Sequence, residues 1–213
     1  MFTGIVQAAC VVRRVDERPG LRSFGIALTP ALARDLAIGA SVAIDGVCLT
    51  VTGQQGDVAL FDVMQQTLQV TTLGAVQPGQ RVNVERSARY GDEIGGHVVS
   101  GHIDAAVPVV DVAASENNRE VTYRAPAALL PYILPRGFIA LNGCSLTVAA
   151  VDRAAATFKV CFIPETLRST THGDKGAGDL VNLELDRQTQ AIVDTVRAYL
   201  ADAGHLAAVA APG

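Results

Sequence analysis

The chain has 213 residues, of which 49% are hydrophobic, and a net charge of −4 at neutral pH. This length suits two domains of about 100 residues, and the apolar content argues against wholesale disorder. Because the charge is mildly acidic and no Lys/Arg run appears, nucleic acid is not an expected partner. The start of the sequence does not predict a signal peptide, and no stretch predicts a membrane span.

Four cysteines are spread along the chain, at Cys10, Cys48, Cys144 and Cys161. None of them forms a Cys-x-x-Cys pair, so a structural zinc site lacks its sequence pattern. Free thiols favour a reducing compartment, and we expect the protein in the cytoplasm.

The sequence contains a long internal repeat. The stretch Asp45–Val51 (DGVCLTV) returns as Asn142–Val148 (NGCSLTV), and a shift of 97 residues places Cys48 on Ser145. Beyond a single two-residue slip the shift becomes 99. Matched order across about 80 residues indicates the duplication of a whole domain rather than a solenoid of short repeats.

Each copy is predicted to be mostly β, because short apolar runs alternate with turn residues. In the first copy these runs predict strands at Val42–Ile44, Cys48–Thr52, Val58–Met64 and Val82–Glu85. Many short strands favour a small barrel or sandwich. One short helix interrupts each copy. Thr29 and Pro30 begin the first, which continues to Leu36, and Pro126–Leu130 forms the second.

The chain changes character after the second copy. Ile192, Val196 and Tyr199 fall at i, i+4 and i+7, which predicts an amphipathic helix. Its apolar stripe can cover a partner subunit or fold back on its own domain, and the sequence leaves both open. We therefore divide the chain into an N-terminal β domain (1–88), a linker (89–97), a C-terminal β domain (98–186), a terminal helix (187–203) and a tail (204–213).

The repeated turn carries candidate polar groups. Cys48 is a candidate nucleophile or hydrogen-bond partner for a ligand, although most free cysteines are small buried hydrophobes. Ser145 and Thr147 share one face of a strand, as do Cys48 and Thr50, because side chains alternate. Each pair can form a polar rail for a ligand or bond only to nearby backbone.

Several titratable residues are further candidates. His97 and His102 would lie on opposite faces of a strand, so a shared metal ion is not expected. His102 alone can carry a proton near neutral pH, or it is an exposed histidine without a role. Glu165 can recognise an N–H group or handle a proton, whereas its repeat mate Gln66 cannot titrate. The alternative for both is a solvated strand end. Asp186 either caps the terminal helix or points into a pocket.

Several motifs of one known family occur here together and in order. They are Met1–Val6, Gly46–Val51, Gly95–Asp104, Gly143–Val148 and Ile163–Leu167, joined by the more branch-specific Ser115–Arg119, Gln188–Ala191 and Val193–Val196. In these motifs the chain resembles the riboflavin synthases of the α-chain type, in their proteobacterial branch. The resemblance implies an all-β fold of two tandem six-stranded Greek-key β-barrels plus a C-terminal α-helix. It also implies a homotrimer joined through those helices.

The resemblance implies a dismutation of two molecules of 6,7-dimethyl-8-ribityllumazine. One molecule donates a four-carbon unit to the other, giving riboflavin and 5-amino-6-ribitylaminouracil. No metal or redox cofactor is implied, because holding two reactive copies face to face can supply much of the catalysis. The active site is expected where the N-terminal barrel of one subunit faces the C-terminal barrel of its neighbour. Whether lumazine synthase also associates is left open.

By motif match, the resemblance assigns catalysis to Cys48, His102, Ser145 and Asp186. The implied N-terminal pocket consists of Gly4, Ile5, Val6, Cys48, Leu49, Thr50, Asp62, Val63, Met64, Gln65, Gln66 and Thr67. The implied C-terminal pocket consists of Gly101, His102, Ile103, Ser145, Leu146, Thr147, Cys161, Phe162, Ile163, Pro164, Glu165 and Thr166. Arg136 stands where the family usually has Lys and is expected to reach the neighbour's ligand. Gln66 replaces a usual Glu, and His172 a usual Leu.

Two other protein classes share these features. A non-catalytic lumazine- or flavin-binding relative of the optical-antenna type has the same fold but typically lacks the counterparts of Cys48 and His102. Both residues are present here, which favours the enzyme. A purely structural tandem barrel would not explain why the pocket motifs persist in both copies.

Overall fold

The computed structural model describes residues 1–116 and 118–209. Two closed six-stranded antiparallel barrels stand in tandem, followed by a terminal helix, which confirms the predicted fold. The N-terminal barrel consists of β1 (Ala8–Arg18), β2 (Leu21–Ala27), β3 (Ser41–Ile44), β4 (Val47–Gln55), β5 (Val58–Met64) and β6 (Arg81–Arg86). The C-terminal barrel consists of β7 (Ala105–Ala114), β8 (Arg119–Arg124), β9 (Phe138–Leu141), β10 (Cys144–Asp152), β11 (Thr157–Phe162) and β12 (Leu180–Leu185).

The two barrels have the same strand order. Around the first barrel it is β1-β2-β5-β4-β3-β6, and around the second β7-β8-β11-β10-β9-β12. Adding six to each strand number converts one order into the other, as duplication of a whole domain requires.

Side-chain alternation on the strands separates each barrel's core from its exterior. On β4, Leu49 and Val51 are buried inside the barrel, whereas Thr50 is exposed outside and Cys48 is half-buried. Because successive side chains point to opposite faces, the polar positions of the repeated turn lie on the outer surface. The barrel interiors are therefore filled with apolar side chains, and any ligand sites lie on their exteriors.

Short extended segments before β1 and β7 cross from one barrel to the other. Val6 packs into the core of the C-terminal barrel, and Ile103 packs against the core of the N-terminal barrel. Phe2 and Val99 join the two segments through reciprocal backbone hydrogen bonds of 2.8 and 3.0 Å. The core of each barrel is thus completed by the segment that leads into the first strand of the opposite barrel.

Four α-helices accompany the barrels in the described part of the chain, at α1 (Pro30–Ala33), α2 (Gln65–Val70), α3 (Pro164–Ser169) and α4 (Arg187–Val209). The predicted cap of α1 is present, since Thr29 Oγ1 accepts from the Leu32 amide at 3.3 Å. The helix predicted at Pro126–Leu130 is instead a turn followed by a 3₁₀ helix, Leu130–Tyr132. Pro131 explains the difference, because it has no N–H to continue an α-helix.

The apolar stripe of helix α4 is exposed to solvent in the single chain. Ile192, Val196 and Tyr199 are 65%, 51% and 72% exposed. The helix meets its own barrel through Tyr132, whose hydroxyl donates to Asp194 at 2.5 Å. Ala-rich sequence carries α4 past the predicted end at residue 203, and residues 210–213 of the predicted tail lie outside the described chain. Within the described residues, we find no helix long and apolar enough to cross a membrane.

Candidate active site

The two copies of the repeated turn touch each other between the barrels. A Cβ on Gly46 would lie 2.6 Å from the amide nitrogen of Gly143, and one on Gly143 would lie 2.9 Å from the nitrogen of Gly46. Both residues have positive φ angles, of 81° and 77°. Only glycine satisfies both the close approach and the left-handed backbone.

Reciprocal asparagine hydrogen bonds fix these turns. Asn182 donates its side-chain amide to the carbonyl of Asp45 at 2.8 Å, and Asn83 donates to that of Asn142 at 3.0 Å. In return, the Asp45 carboxylate and the Asn142 side-chain carbonyl accept the backbone amides of Asn83 and Asn182, each at 2.7 Å. The four residues form a pseudo-twofold arrangement that sets the relative position of the barrels.

Asp45 is the one ionisable member of this arrangement. Complete burial raises its pKa to about 6, against the lowering effects of the Asn83 amide and the Lys175 charge. Its repeat mate is the neutral Asn142, so this four-residue arrangement carries an ionisable side chain on one side only.

On the exterior of the N-terminal barrel, β4 and β5 separate beside Cys48, and β10 and β11 separate in the same way beside Ser145; we call each of these gaps in the strand pairing a cleft. The ladder between β4 and β5 begins at Val51 and Phe61, so the strands are not paired at Cys48. The Cys48 amide donates instead to the carbonyl of Gly101 at 2.9 Å. A Cβ on Gly101 would lie 2.5 Å from that of Cys48, so the segment passes directly over the cysteine.

The second barrel repeats this arrangement at Ser145. Its amide donates to the carbonyl of Gly4 at 2.8 Å, and a Cβ on Gly4 would lie 2.5 Å from the Ser145 Cβ. By motif match, the family resemblance groups Gly4 with Cys48 and Gly101 with Ser145. The structure exchanges these two glycines, because the segments that carry them cross to the opposite barrel.

Two buried glutamates hold the crossing segments. Glu85 accepts hydrogen bonds from the Thr3 amide at 2.6 Å, the Thr3 hydroxyl at 2.7 Å and the Gly4 amide at 3.1 Å. Glu184 accepts the equivalent three bonds from residues 100 and 101 at 2.7, 2.6 and 3.0 Å. Burial raises the pKa of Glu85, although the hydrogen bonds from Thr3 and Gly4 act against it. These carboxylates fix the backbone that covers Cys48 and Ser145.

His97 lies directly beside Ser145, which the sequence did not predict. Its Nδ1 is 2.6 Å from the Ser145 hydroxyl, and its ring stacks on Phe138 with centroids 5.0 Å apart. Neither His97 nor His102 lies on a strand, in contrast to the prediction, because β7 begins only at Ala105. The neighbouring Gly96 is the sequence feature that could have indicated this contact. A Cβ at that position would lie 2.7 Å from the Ser145 Cβ, so the close approach requires glycine.

The other two predicted catalytic groups lie near the start of α4. The ring of His102 is exposed, and its carbonyl accepts a hydrogen bond from Arg187. Asp186 caps the helix, accepting from the Thr189 hydroxyl at 2.6 Å and the Thr189 amide at 3.0 Å. Partial burial acts to raise the pKa of Asp186, but these hydrogen bonds and the charge of His97 hold it below its usual value.

The predicted pocket stretches divide between the inside and outside of the barrels. Five side chains face the barrel cores, so those positions offer a ligand only backbone groups: Val6, Leu49, Val63, Leu146 and Phe162. The exposed set consists of Ile5, Thr50, Asp62, Met64, Gln65, Gln66, Thr147, Cys161, Ile163, Pro164 and Glu165, with Thr67 and Thr166 half-buried. The repeat mates Met64 and Ile163 are 64% and 63% exposed and offer an apolar surface at the end of each cleft.

The remaining predicted contacts are at the rims of these clefts. Gln66 and Glu165 lie on α2 and α3 rather than at strand ends, and Glu165 forms an ion pair with Arg168. Arg136 occupies an exposed turn with a φ of 67°, and its guanidinium makes no hydrogen bond within residues 1–116 and 118–209. The same part of the chain shows no cluster of three or more residues that could hold a metal ion.

Comparisons with known proteins agree with this architecture. The sequence model of one family, described as the lumazine binding domain, matches residues 3–87 and again residues 100–186. Riboflavin synthase of Escherichia coli (strain K12) is 47% identical over 202 residues, which cover 94% of each chain. The chain belongs to the riboflavin synthase family. Riboflavin synthase of Chlamydia pneumoniae is 41% identical, over 96% of this chain and 99% of that one.

A similar protein of known structure has been solved with a ligand bound. LumP in complex with riboflavin superposes with a TM-score of 0.82 at 25% identity, over 88% of this chain and all of that one. Proteins similar to this chain therefore include both an enzyme, riboflavin synthase, and a riboflavin-binding protein, LumP.

Proposed function

We propose that the protein is a riboflavin synthase, which converts two molecules of 6,7-dimethyl-8-ribityllumazine into riboflavin and 5-amino-6-ribitylaminouracil. The two products together contain all the atoms of the two substrates, so the dismutation needs no external oxidant or reductant. The observation that carries this proposal is the pair of equivalent exterior clefts with unlike polar groups, Cys48 in one and Ser145 in the other. Two copies of one substrate must play different parts, and unlike clefts suit that requirement.

Each cleft offers what one lumazine needs. The exposed Met64 and Ile163 can pack against the ring system, which is large and flat. Backbone groups at the ends of β4 and β10 and the rails of Thr50 and Thr147 supply hydrogen bonds. Holding the two rings face to face converts a reaction between two molecules into one within a complex, which can supply several kcal/mol of the barrier.

Proton movement is the other task of the site. The substrate's 7-methyl group is acidic because its carbanion delocalises into the ring. His102 is the candidate carrier, because its ring is exposed next to the Gly101 segment that covers Cys48. Asp186 is a weaker candidate, since both of its carboxylate oxygens accept hydrogen bonds at the start of α4.

A homotrimer assembled through α4 is part of this proposal. The exposed stripe of Ile192, Val196 and Tyr199 supports it, because large apolar side chains in a row favour contact with a partner. Cys48 and Ser145 lie in separate clefts of one chain, each beneath its own crossing segment. A neighbouring subunit would bring a complementary cleft opposite each of them, with Arg136 reaching the neighbour's ligand. We place the assembled enzyme in the cytoplasm.

Incubation with 6,7-dimethyl-8-ribityllumazine alone tests this function. Riboflavin should form without added metal or redox cofactor. Tight binding of the lumazine without turnover would favour instead a flavin-binding protein such as LumP, which has been solved with riboflavin bound.

A further inference from the structure

His97 is a buried histidine joined to one of the two reacting centres. Its side chain is 7% exposed, and its Nδ1 lies 2.6 Å from the Ser145 hydroxyl. The other ring nitrogen, Nε2, is buried without a hydrogen-bond partner among the described residues. A buried ring that makes its hydrogen bond to a single hydroxyl fixes the direction in which that hydroxyl points.

The packing around His97 restricts it to this orientation. Phe138 stacks on one face of the ring at an interplanar angle of 13°. At Gly96, a Cβ would lie 2.3 Å from the carbonyl oxygen of Thr3 and 3.0 Å from the Ser145 hydroxyl oxygen. Only a glycine there lets the segment lie flat enough to bring His97 onto Ser145.

The equivalent position of the first repeat has no such group. The Cys48 sulfur makes no hydrogen bond with any residue in the described part of the chain, although its backbone amide bonds to Gly101 as that of Ser145 bonds to Gly4. The two clefts share their backbone architecture and differ in the side chain that supports the polar centre.

We propose that His97 is a positioning residue that holds the Ser145 hydroxyl and so makes the C-terminal cleft chemically unlike the N-terminal one. The inference rests on the proposed dismutation, in which two identical substrates must be treated differently. His97 acts through Ser145 and does not itself contact the substrate.

The charge state of His97 agrees with this role. Burial lowers its pKa, while the carboxylate of Asp186 acts in the opposite direction. Phe138 and Ser145, which contact the ring directly, carry no charge. The imidazole is therefore neutral at neutral pH, and a neutral ring shares one hydrogen bond with the hydroxyl without withdrawing its proton.

Two substitutions separate the hydrogen bond from the stacking. His97→Phe keeps an aromatic ring against Phe138 but loses Nδ1, and we expect kcat to fall about tenfold with KM within about threefold. His97→Asn places an amide group where Nδ1 lies and should keep kcat within about threefold of the unmodified protein. Equal losses in both variants would overturn the proposal, because His97 would then act only by packing.

A double-mutant cycle shows whether His97 works through Ser145. In the Ser145→Ala background, His97→Phe should cause no further loss of kcat, because the hydroxyl that it positions is absent. Losses that multiply would contradict the proposal. His172→Leu is the matched control, since His172 is an equally buried ring whose Nε2 lies 3.0 Å from the Leu141 carbonyl oxygen. This variant should keep the kcat of the unmodified protein.

Nitrogen NMR of the histidine rings tests the inference independently of turnover. In the unmodified chain, the Nδ1 resonance of His97 should show a neutral ring at neutral pH and should shift in the Ser145→Ala variant. An unchanged resonance would show that no hydrogen bond links the two groups. Inactivity of the unmodified protein toward lumazine would count against the proposed dismutation alone, because the NMR result does not depend on it.

Discussion

The backbone amide of Cys48 donates to the carbonyl of Gly101 across the interface between the two barrels, at 2.9 Å. Ser145 and Gly4 repeat this relationship at 2.8 Å. Each cleft is therefore built from both copies of the repeat: one supplies the strand with the polar centre, and the other supplies the segment that covers it. The position of each candidate reacting group depends on an anchor in the opposite half of the chain.

The anchor of the Gly101 segment should be essential for both stability and activity. Glu184 is 1% exposed and accepts three hydrogen bonds from residues 100 and 101. Glu184→Ala leaves those donors unpaired, so the free energy of unfolding should fall by about 2–4 kcal/mol. Urea denaturation measures this change, and lumazine turnover should fall with it. The exposed Glu116, changed to Ala, is the control and should alter stability by less than about 0.5 kcal/mol. Equal effects of both changes would contradict the anchoring role.

Replacing Asp45 by Asn should stabilise the protein above pH 6. Burial raises the pKa of this carboxyl from 3.8 to about 6. Between these values the folded protein binds more protons than the unfolded chain, so its stability falls as the pH rises through that window. Asn cannot ionise, and Asn142 shows that it fits the equivalent turn at a φ of 43°.

The advantage of Asp45→Asn should reach about 2–3 kcal/mol at pH 7–8 and shrink below pH 4. Denaturation of both proteins across this pH range measures the difference. A difference that does not change with pH would show that the carboxyl titrates normally.

Much of the fold could be predicted because the chain contains two copies of the same domain, and each copy shows the same pattern of strands and turns. Cys48 and Ser145 occupy the same place in two matched copies, and strand alternation puts Thr50 and Thr147 beside them. The short helices α2 and α3 were not predicted, since six residues are too few for a helical period to show. The crossing of the segments around Gly4 and Gly101 could not be predicted from alignment, which relates copies but does not say which copies touch.

The helix α4 should hold the subunits together without supporting either barrel. Beyond its first residue, Arg187, the helix meets its own barrel at Tyr132, whereas Ile192 and Tyr199 are exposed. A chain that ends at Arg187 should sediment as a monomer, retain its circular dichroism and lose turnover. Replacing both Ile192 and Tyr199 by Glu should give the same result without removing residues. An active monomer would contradict a site shared between subunits.

Cys48 should act as a hydrogen-bond partner rather than as a thiolate nucleophile. A reactive thiolate needs a nearby cation, and no hydrogen bond in the described chain brings one to this sulfur. Cys48→Ser should keep kcat within about fivefold, because a hydroxyl serves the equivalent position at Ser145, whereas Cys48→Ala should lose about tenfold. Steady-state kinetics compares the two, and equal inactivity would indicate an essential thiol.

The site was harder to predict than the fold because several of its contacts join distant parts of the chain. His97 approaches Ser145 from 48 residues away. The sequence considered His97 only as half of a metal-binding pair with His102, which was not expected to form. Asp186 fulfils one of its two predicted alternatives, as the cap of α4. Physical chemistry identified the residue types, and the three-dimensional arrangement showed which of them meet.

Two identical substrates should react with each other in two unlike clefts, and the stoichiometry of turnover tests this dismutation most directly. Chromatography of a reaction that contains only the protein and 6,7-dimethyl-8-ribityllumazine should show one riboflavin and one 5-amino-6-ribitylaminouracil formed for every two lumazines consumed. Lumazine that stays bound and unconsumed, or riboflavin formed without the pyrimidine product, would contradict the account.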